Sequence, residues 1–368
     1  MKNIIIKDGK NHRVISGNAV SIIDALPPSI FEICYEPERG FSLNETCGAF
    51  KNSEKLYGEA EAVSEKVLNT FNSVDGNLGV LFSGSKGLGK SLTVRNICKK
   101  ALEKGLPVIL VKEHFNSVSQ FIETIFQPVV VVFDEFEKIY PNRSKSEKDD
   151  LDGQDSLLNL FDSNLAGKKL FLLACNDTRN LSEYLLNRPG RLHYHFRMFK
   201  LSVDEITEYC TDKLEKEQHK LIPDICSLGT RIPDFSYDIL RSIVFELNTG
   251  KCSLIETGRV LNIASKARSP FNFTVYFKLG KTETGFEYID TAQSRYHIDW
   301  YGRTDGIRDS AAVNMLEAQW TGGADGSLIL DGKHVCWMQR EKKSDDRVEK
   351  IVFVPAKEGY LSEDNFRN

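Results

Sequence analysis

The sequence lacks the cysteine spacings of a zinc ribbon or a thiol redox motif, and it lacks any long apolar run. None of the eight cysteines forms a C-x-x-C pair with another, which excludes both of those motifs. No apolar run approaches the roughly 18 residues that a membrane-spanning helix needs. We therefore expect reduced thiols, a cytoplasmic location and no membrane segment.

An excess of positive charge is also missing. The 368 residues include 48 lysines and arginines against 52 aspartates and glutamates, a formal net charge of -4. This balance gives no general electrostatic reason to bind nucleic acid or an anionic membrane. Hydrophobic residues make up 41% of the chain and charged residues 27%, as is typical of a globular protein long enough for two or three domains.

Short apolar runs that alternate with helical patterns indicate an α/β fold in the first half of the chain. Unbroken runs are typical of strands buried on both faces of a parallel sheet. The predicted strands are VLF (80–82), PVILV (107–111), VVVVFDEF (129–136) and KLFLLACND (169–177). Helices are predicted over 53–71, up to about residue 103, and over 116–126.

Changes in pattern along the chain predict four domains. Residues 1–50 alternate apolar and polar side chains around turn signals, so we expect two small hairpins in an N-terminal β element. Residues 51–199 form the α/β domain. Three amphipathic helical patterns predict a small helical domain over 200–268. Residues 269–368 have strand patterns and one helical pattern at 309–319, and we expect an α+β domain whose role the sequence does not indicate.

The stretch FSGSKGLGKS follows the first of these strands and matches the phosphate-binding pattern G-x-x-x-x-G-K-[ST]. Glycines let backbone N–H groups turn onto phosphate oxygens, and the helix that follows offers its positive end. Lys90 would reach the β and γ phosphates of a nucleotide, and Ser91 would bind Mg²⁺. The predicted binding residues are Gly84, Ser85, Lys86, Gly87, Leu88, Gly89, Lys90 and Ser91.

Two adjacent carboxylates, Asp134 and Glu135, end the strand VVVVF. The carboxyl ends of the strands are where open α/β sheets bind ligands. Asp134 is therefore predicted to lie beside Mg²⁺ with Ser91, and Glu135 to orient and activate the water that attacks the γ-phosphate. Taken alone, an Asp-Glu pair after a strand is more often a solvated turn, but the glycine loop favours the nucleotide interpretation.

A third strand ends in Asn176, and LLNRPGR with Arg188 and Arg191 follows it. With these motifs in this order, residues 53 to 268 resemble the AAA+ ATPases, in particular the AAA branch proper. The resemblance implies a parallel-sheet P-loop NTPase core, a helical lid over 200–268, ATP and Mg²⁺ as cofactors, and a ring of subunits, usually six. The N-terminal segment LPPSIFEICYEPERGFSL also resembles bacteriophage-encoded members.

The resemblance also implies roles for single residues. Asn176 matches the polar sensor that positions the attacking water. Arg188 and Arg191 match the arginine fingers, which reach into the site of the neighbouring subunit and act on developing phosphate charge. The chain departs from the family pattern at Ser85 and Lys86, where prolines are common, and at His193, where an acidic residue is usual.

Other family features have no clear counterpart. The second sensor is left unassigned, since Glu256 or Gly258 falls near its position and Arg259 is a near miss. Phe115 is the aromatic candidate for the substrate-gripping loop, and a core position is an equal alternative. The charged stretch 138–156, expected to be a mobile loop, matches the position of a second such loop.

His193 and His195 share a face of a predicted strand, as a metal pair would. The sequence offers no third ligand and no HExxH motif. A structural role is favoured, and a fused zinc protease is excluded.

Three functions remain open at this point. The leading interpretation is a ring-forming ATPase that remodels or threads a protein client. A DNA-acting loader or motor is the first alternative, against which the acidic net charge argues. The second is a nucleotide-gated scaffold with slow hydrolysis, which the intact Glu135, Asn176 and Arg188 disfavour.

Overall fold

The computed structural model describes sixteen stretches of the chain. They are residues 3–8, 11–16, 21–47, 55–141, 153–162, 167–186, 190–232, 235–250, 253–261, 263, 269–278, 280–291, 295–301, 308–321, 327–337 and 348–356. The chain divides into two compact units. The first comprises Met1–Glu54, Ala62–Phe82 and Ser91–Phe196, and the second comprises Lys55–Glu61, Ser83–Lys90 and Arg197–Asn368.

The first half of the chain contains nine strands and six α-helices within the described residues. They are β1 (Asn3–Asp8), β2 (Asn11–Ser16), β3 (Ile30–Glu36), β4 (Gly40–Cys47), α1 (Ala60–Ser73), β5 (Leu78–Ser83), α2 (Lys90–Glu103), β6 (Val108–Val111), α3 (Val118–Glu123), β7 (Val129–Phe133), α4 (Phe136–Ile139), α5 (Asp155–Asp162), β8 (Lys169–Cys175), α6 (Glu183–Leu186) and β9 (Tyr194–Arg197).

Seven of these strands form one sheet in the order β4-β3-β6-β7-β8-β5-β9. β3, β6, β7 and β8 pair in parallel, and β4 is antiparallel to β3. Every residue of β5, β7 and β8 is buried, because helices or other chain segments cover both faces. The predicted α/β fold with a parallel sheet is confirmed.

Both predicted N-terminal hairpins are present. β1 and β2 form a separate two-stranded sheet, with Ile5 opposite Val14. β3 and β4 instead extend the seven-stranded sheet, since β3 pairs with β6 from Ile30 to Glu32. The sequence pattern of a hairpin does not indicate whether a third strand adds to its edge.

Two predicted helices have different bounds in the structure. The helix predicted over 53–71 begins only at Ala60, because Gly58 has a φ of 64° and turns the chain before the helix starts. Ser53, at which the predicted helix starts, lies outside the described residues. The helix predicted over 116–126 is the shorter α3.

After residue 200, the second unit contains helices first and then strands. Its elements after residue 200 are α7 (Val203–Lys213), α8 (Ile222–Arg231), α9 (Tyr237–Asn248), α10 (Leu254–Val260), β10 (Ser269–Phe277), β11 (Thr282–Ile289), β12 (Tyr296–Tyr301), β13 (Arg308–Val313), β14 (Gln319–Trp320), β15 (Leu328–Asp331), β16 (Val335–Trp337) and β17 (Val348–Pro355).

The helical part packs around one apolar core that includes Ile206, Ile225, Phe235 and Leu240. The sequence predicts three helices here, and the structure adds α8. Its pattern is hidden because Pro223, at the first turn of α8, looks like a break although that position tolerates proline. The boundaries of the four predicted domains remain a prediction.

The described residues of the last part form two antiparallel sheets, ordered β11-β10-β17-β15-β14 and β12-β13-β16. The helix predicted at 309–319 is wrong. That stretch holds β13, a 3-10 turn over Met315–Glu317 and β14. Ala311 and Val313 pair with β16 and enter an apolar core, so pairing with a distant strand overrides the local helical pattern.

The described helices include none that is both long enough and apolar enough to cross a membrane. Within the same residues, no group of three or more His, Cys, Asp and Glu side chains is arranged to hold a metal ion.

Candidate functional site

The glycine loop after β5 has a backbone that glycine alone adopts easily. Gly84, Gly87 and Gly89 have φ values of 143°, 78° and 90°, and a side chain at such φ is strained. A Cβ on Gly84 would lie 2.1 Å from the carbonyl oxygen of Met198. The loop shape therefore requires glycine at these positions.

Lys90 begins α2 and folds back over this loop. Its Nζ donates to the carbonyl oxygens of Gly84 at 2.6 Å and Ser85 at 2.9 Å, and the residue is only 7% exposed. The first turn of the 14-residue α2 contains no acidic residue of its own, so α2 itself does not neutralise the positive end of the helix. An ammonium group, a helix start and a glycine-turned backbone together suit a phosphate group.

The other loop residues differ in exposure. Leu88 is buried with 7% exposure, whereas Lys86 is exposed. Ser85 contributes its carbonyl oxygen to Lys90. The departures from the family pattern at Ser85 and Lys86 thus leave the loop and its lysine in place.

Ser91 lies next to the aspartate of the Asp-Glu pair. Its Oγ donates to Asp134 Oδ1 at 3.1 Å, although 43 residues separate the two. Two oxygen ligands in neighbouring positions around an octahedral Mg²⁺ lie about 3 Å apart, and Mg²⁺ prefers hydroxyl, carboxylate and phosphate oxygens. The pair therefore fits the magnesium ligation predicted from the sequence.

Glu135 stands at the turn between β7 and α4 in a left-handed conformation, with φ 54° and ψ 46°. Few non-glycine residues adopt it, and such strain is concentrated at functional positions. Its N–H donates to Asp134 Oδ1 at 3.1 Å, and its Oε1 accepts from Lys138 Nζ at 2.6 Å. The strained turn thereby lets a side chain emerge at the carboxyl end of the buried strand.

Asn176 follows β8, the strand next to β7. Its backbone N–H and its Nδ2 both donate to Glu137 Oε1 at 3.0 Å. The sheet thus delivers Asp134, Glu135 and Asn176 from the ends of two adjacent parallel strands, as the sequence predicts. Glu137, two residues after Glu135, is a contact that the sequence analysis missed.

The glycine loop also contacts the helical part of its own unit. The N–H of Tyr237 donates to the carbonyl oxygen of Gly87 at 3.0 Å, and a Cβ on Gly87 would lie 2.5 Å from Asp238 Oδ2. The Tyr237 hydroxyl donates to Glu205 Oε1 at 3.0 Å. Burial, followed by the charge of Glu205, raises the pKa of Tyr237 and keeps the phenol protonated. The sequence pattern does not predict this contact, although Ser236 before the α9 pattern is a recognisable helix cap.

Of the two arginines in the Arg-Pro-Gly-Arg motif, the structure describes the second, Arg191. Arg188 lies outside the described residues. Arg191 is 8% exposed, and its Nη1 donates to the carbonyl oxygen of Tyr184 at 2.6 Å. A Cβ added at Gly79 of β5 would lie 2.0 Å from the carbonyl oxygen of Arg191, so the backbone of Arg191 packs closely against β5. Arg191 is thus held against its own subunit, and its role towards a neighbour remains a prediction.

Phe115 packs as a partly buried residue against the core of the first unit. Its ring lies 5.9 Å from that of Phe41, edge to face. These contacts favour the core alternative over the substrate-gripping one. Most of the charged stretch 138–156 lies outside the described residues.

Glu256 caps its own helix. Its Oε2 accepts from the N–H and the Oγ of Ser253 at 2.9 Å, and its N–H donates to Ser253 Oγ at 3.4 Å. This reciprocal arrangement is a capping box at the start of α10. Capping α10 explains the position of the Glu256 side chain without a sensor role.

The two histidines lie at β9. The N–H of His193 donates to the carbonyl oxygen of Gly79 at 2.9 Å, and its ring meets that of Tyr194 at 4.6 Å. These contacts join β9 to the strand that precedes the glycine loop.

Comparison with known proteins gives a family match that includes the glycine loop and the Asp-Glu pair. The family model for "ATPase family associated with various cellular activities (AAA)" matches residues 80–199. The ATPase family gene 2 protein of Saccharomyces cerevisiae is 24% identical over 157 residues, which are 39% of this chain and 20% of that protein. The chain therefore spans about a fifth of the length of this relative.

Two solved structures show partial likeness. A chain of the E. coli MS115-1 HORMA:CdnC:Trip13 complex is 13% identical, with a TM-score of 0.42, over 57% of this chain and 89% of that one. A point mutant of Thermotoga maritima RuvB is 17% identical, with a TM-score of 0.38, over 57% of this chain and 72% of that one. Residues 80–199, which include the glycine loop and the Asp-Glu pair, are a domain of the AAA ATPase family.

Proposed function

We propose that this chain binds ATP with Mg²⁺ and hydrolyses it. The observation that carries the proposal is the 3.1 Å contact between Ser91 Oγ and Asp134 Oδ1. This contact places Ser91, which follows Lys90 of the phosphate loop, beside Asp134, which precedes the candidate water activator Glu135. When bound, Mg²⁺ would supply positive charge to the phosphate oxygens.

In this mechanism each residue of the chain has a separate task. The glycine loop and Lys90 bind the phosphates, and Ser91 and Asp134 hold the metal ion. Glu135 orients the attacking water and accepts its proton. Asn176 accepts a second hydrogen bond from the same water, which fixes its direction of approach.

We further propose that the chain acts in a ring of about six subunits, which remodels or threads a protein client. Arg188 and Arg191 would be supplied by the neighbouring subunit, so that a lone subunit has an incomplete site. An arginine finger that stabilises transition-state charge is worth about 10³ to 10⁵ fold in the rate of phosphoryl transfer. The β elements on either side of residues 80–199 are the candidates for client choice.

The test is the ATP turnover rate against protein concentration, with particle size followed in parallel. We expect cooperative activation on assembly. Glu135→Gln should form ATP-bound rings and lose about a hundredfold or more in kcat. Arg188→Ala should be inactive alone and should recover when it is mixed with Glu135→Gln, since each variant supplies what the other lacks.

Arg39→Ala is the matched control, because Arg39 is a solvent-exposed arginine in the turn between β3 and β4. It should keep the wild-type rate. Turnover that is independent of assembly and of Arg188 would refute the ring with fingers supplied by neighbours. A wild-type protein that neither binds nor hydrolyses ATP would refute the ATPase itself.

A further inference from the structure

The short helix α4 places a carboxylate against the candidate water-positioning residue. Glu137 Oε1 accepts from the Asn176 backbone N–H and from Asn176 Nδ2, both at 3.0 Å. The two residues are 39 positions apart in the sequence. One contact fixes the backbone at the end of β8 and the other fixes the side-chain amide.

This geometry determines how the amide of Asn176 is turned. A carboxylate only accepts hydrogen bonds, so the amide nitrogen must face Glu137 and Oδ1 must point to the other side. A carbonyl oxygen accepts from a water molecule, whereas a phosphate oxygen would need a donor. The orientation therefore suits Asn176 to contact water rather than phosphate.

The second oxygen of Glu137 argues that stability is not the reason for this arrangement. Glu137 Oε2 is buried and has no hydrogen-bond partner in the described part of the chain. Leaving such an oxygen unpaired is costly. Costs of this kind are typical of functional positions, where one required contact outweighs the local loss.

We propose that Glu137 is a positioning residue, which holds the Asn176 amide with Oδ1 directed for the attacking water. The proposal rests on the ATPase function proposed above. Glu137 acts through Asn176 and does not itself contact ATP. Its neighbour Lys138 pairs with Glu135 instead, so the single turn of α4 contacts both members of the water-binding pair.

The experiment compares Glu137→Ala, Glu137→Gln, Asn176→Ala and the double variant Glu137→Ala with Asn176→Ala. We expect Glu137→Ala to lower kcat by about ten- to a hundredfold while the Kd for ATP stays within about threefold, because phosphate binding does not involve Glu137. Glu137→Gln keeps a carbonyl acceptor and should retain kcat within about threefold of wild type. Glu103→Ala, which truncates an exposed carboxylate at the end of α2, is the control and should behave as wild type.

The double variant decides between positioning and an independent role. If Glu137 acts through Asn176, adding Glu137→Ala to Asn176→Ala should change kcat by less than about threefold. Equal losses in both backgrounds would overturn the proposal. Should Glu137→Ala fail to fold, Glu137→Gln still decides: retained kcat supports it, and a loss comparable to that of Asn176→Ala overturns it. Wild-type protein without turnover would remove the proposed function, and this inference with it.

Discussion

The seven-stranded sheet of the first unit and the five-stranded sheet of the last part bury their residues in opposite ways. In the first, β5, β7 and β8 are buried at every position. In the second, β11 alternates, with Glu283 and Ile289 inside and Phe286 and Tyr288 outside. Full burial is typical of a sheet covered on both faces, and alternation of one that is covered on one face only.

This difference determines where each sheet can place chemistry. A strand that is buried throughout can present polar side chains only where it ends, and Asp134, Glu135 and Asn176 all lie just beyond such ends. A strand with one open face can present side chains along its length. The outer face of the second sheet accordingly carries Phe286, Tyr288, Ile329 and Val354, each at least 36% exposed.

The sharpest test of this comparison makes the same substitution in both sheets. Val131 in β7 is 0% exposed, and Val354 in β17 is 37% exposed. Val131→Asp should destabilise the protein by about 4 kcal/mol or more, because a carboxylate is buried without a partner. Val354→Asp should cost less than about 1 kcal/mol. Urea denaturation measures both, and equal losses would contradict the difference in burial.

The next effect concerns Lys200, a half-buried lysine of the second unit whose Nζ donates to the carbonyl oxygen of Thr230 at 2.9 Å. Burial lowers its pKa to about 8, against 10.5 for the unperturbed group. The unfolded chain therefore holds this proton more tightly than the folded one. Stability from this group should rise between pH 8 and 10.5, by about 3 kcal/mol in total.

Lys200→Met should remove that rise. The difference between the unfolding free energies of wild type and Lys200→Met should therefore change with pH over this range. Parallel curves would show that Lys200 keeps an ordinary pKa. Lys169 at the start of β8 is the counterpart in the first unit, since burial lowers its pKa too. Its Nζ donates to the carbonyl oxygens of Ile125 and Gly167.

The smallest effect concerns a contact that joins the helical part of the second unit to its strands. Arg231 at the end of α8 donates from Nη2 to the carbonyl oxygen of Ala318 at 2.5 Å, and its own carbonyl oxygen accepts from Thr291 Oγ1 at 3.2 Å. Arg231→Met should cost about 2 kcal/mol, because it leaves a carbonyl oxygen without its donor. The exposed Arg39→Met should cost less than about 0.5 kcal/mol. Equal urea midpoints for the two variants would mean that the contact contributes nothing.

Much of the first sheet and of its site could be predicted from the sequence. Long apolar runs identify β7 and β8, because only strands covered on both faces tolerate them. The spacing of glycines before Lys90 and the two carboxylates after β7 identify the candidate site. Both signals are local, because the loop needs glycine for its positive φ angles and Asp134 and Glu135 directly follow the strand. The 3.1 Å contact between Ser91 and Asp134 is the expected outcome of that pattern.

The remainder depends on contacts between distant parts of the chain. Whether β3 joins the sheet edge, or residues 309–319 become strand, is decided by partners far away in sequence. Glu137 and Tyr237 were missed for the same reason, because their importance lies in what they touch. The turn FEKI carries two charged residues, Glu137 and Lys138, and nothing local distinguishes the role of Glu137.

The most direct test of the central claim is ATP turnover by the assembled protein with and without Mg²⁺, in wild type, Lys90→Ala and Lys99→Ala. Both lysines lie on α2, but Lys99 is exposed and lies in a later turn of the helix than Lys90. We expect Mg²⁺-dependent turnover in wild type and Lys99→Ala, and a loss of at least about a hundredfold in Lys90→Ala. Turnover by Lys90→Ala at the wild-type rate, or none in assembled wild type, would contradict that claim.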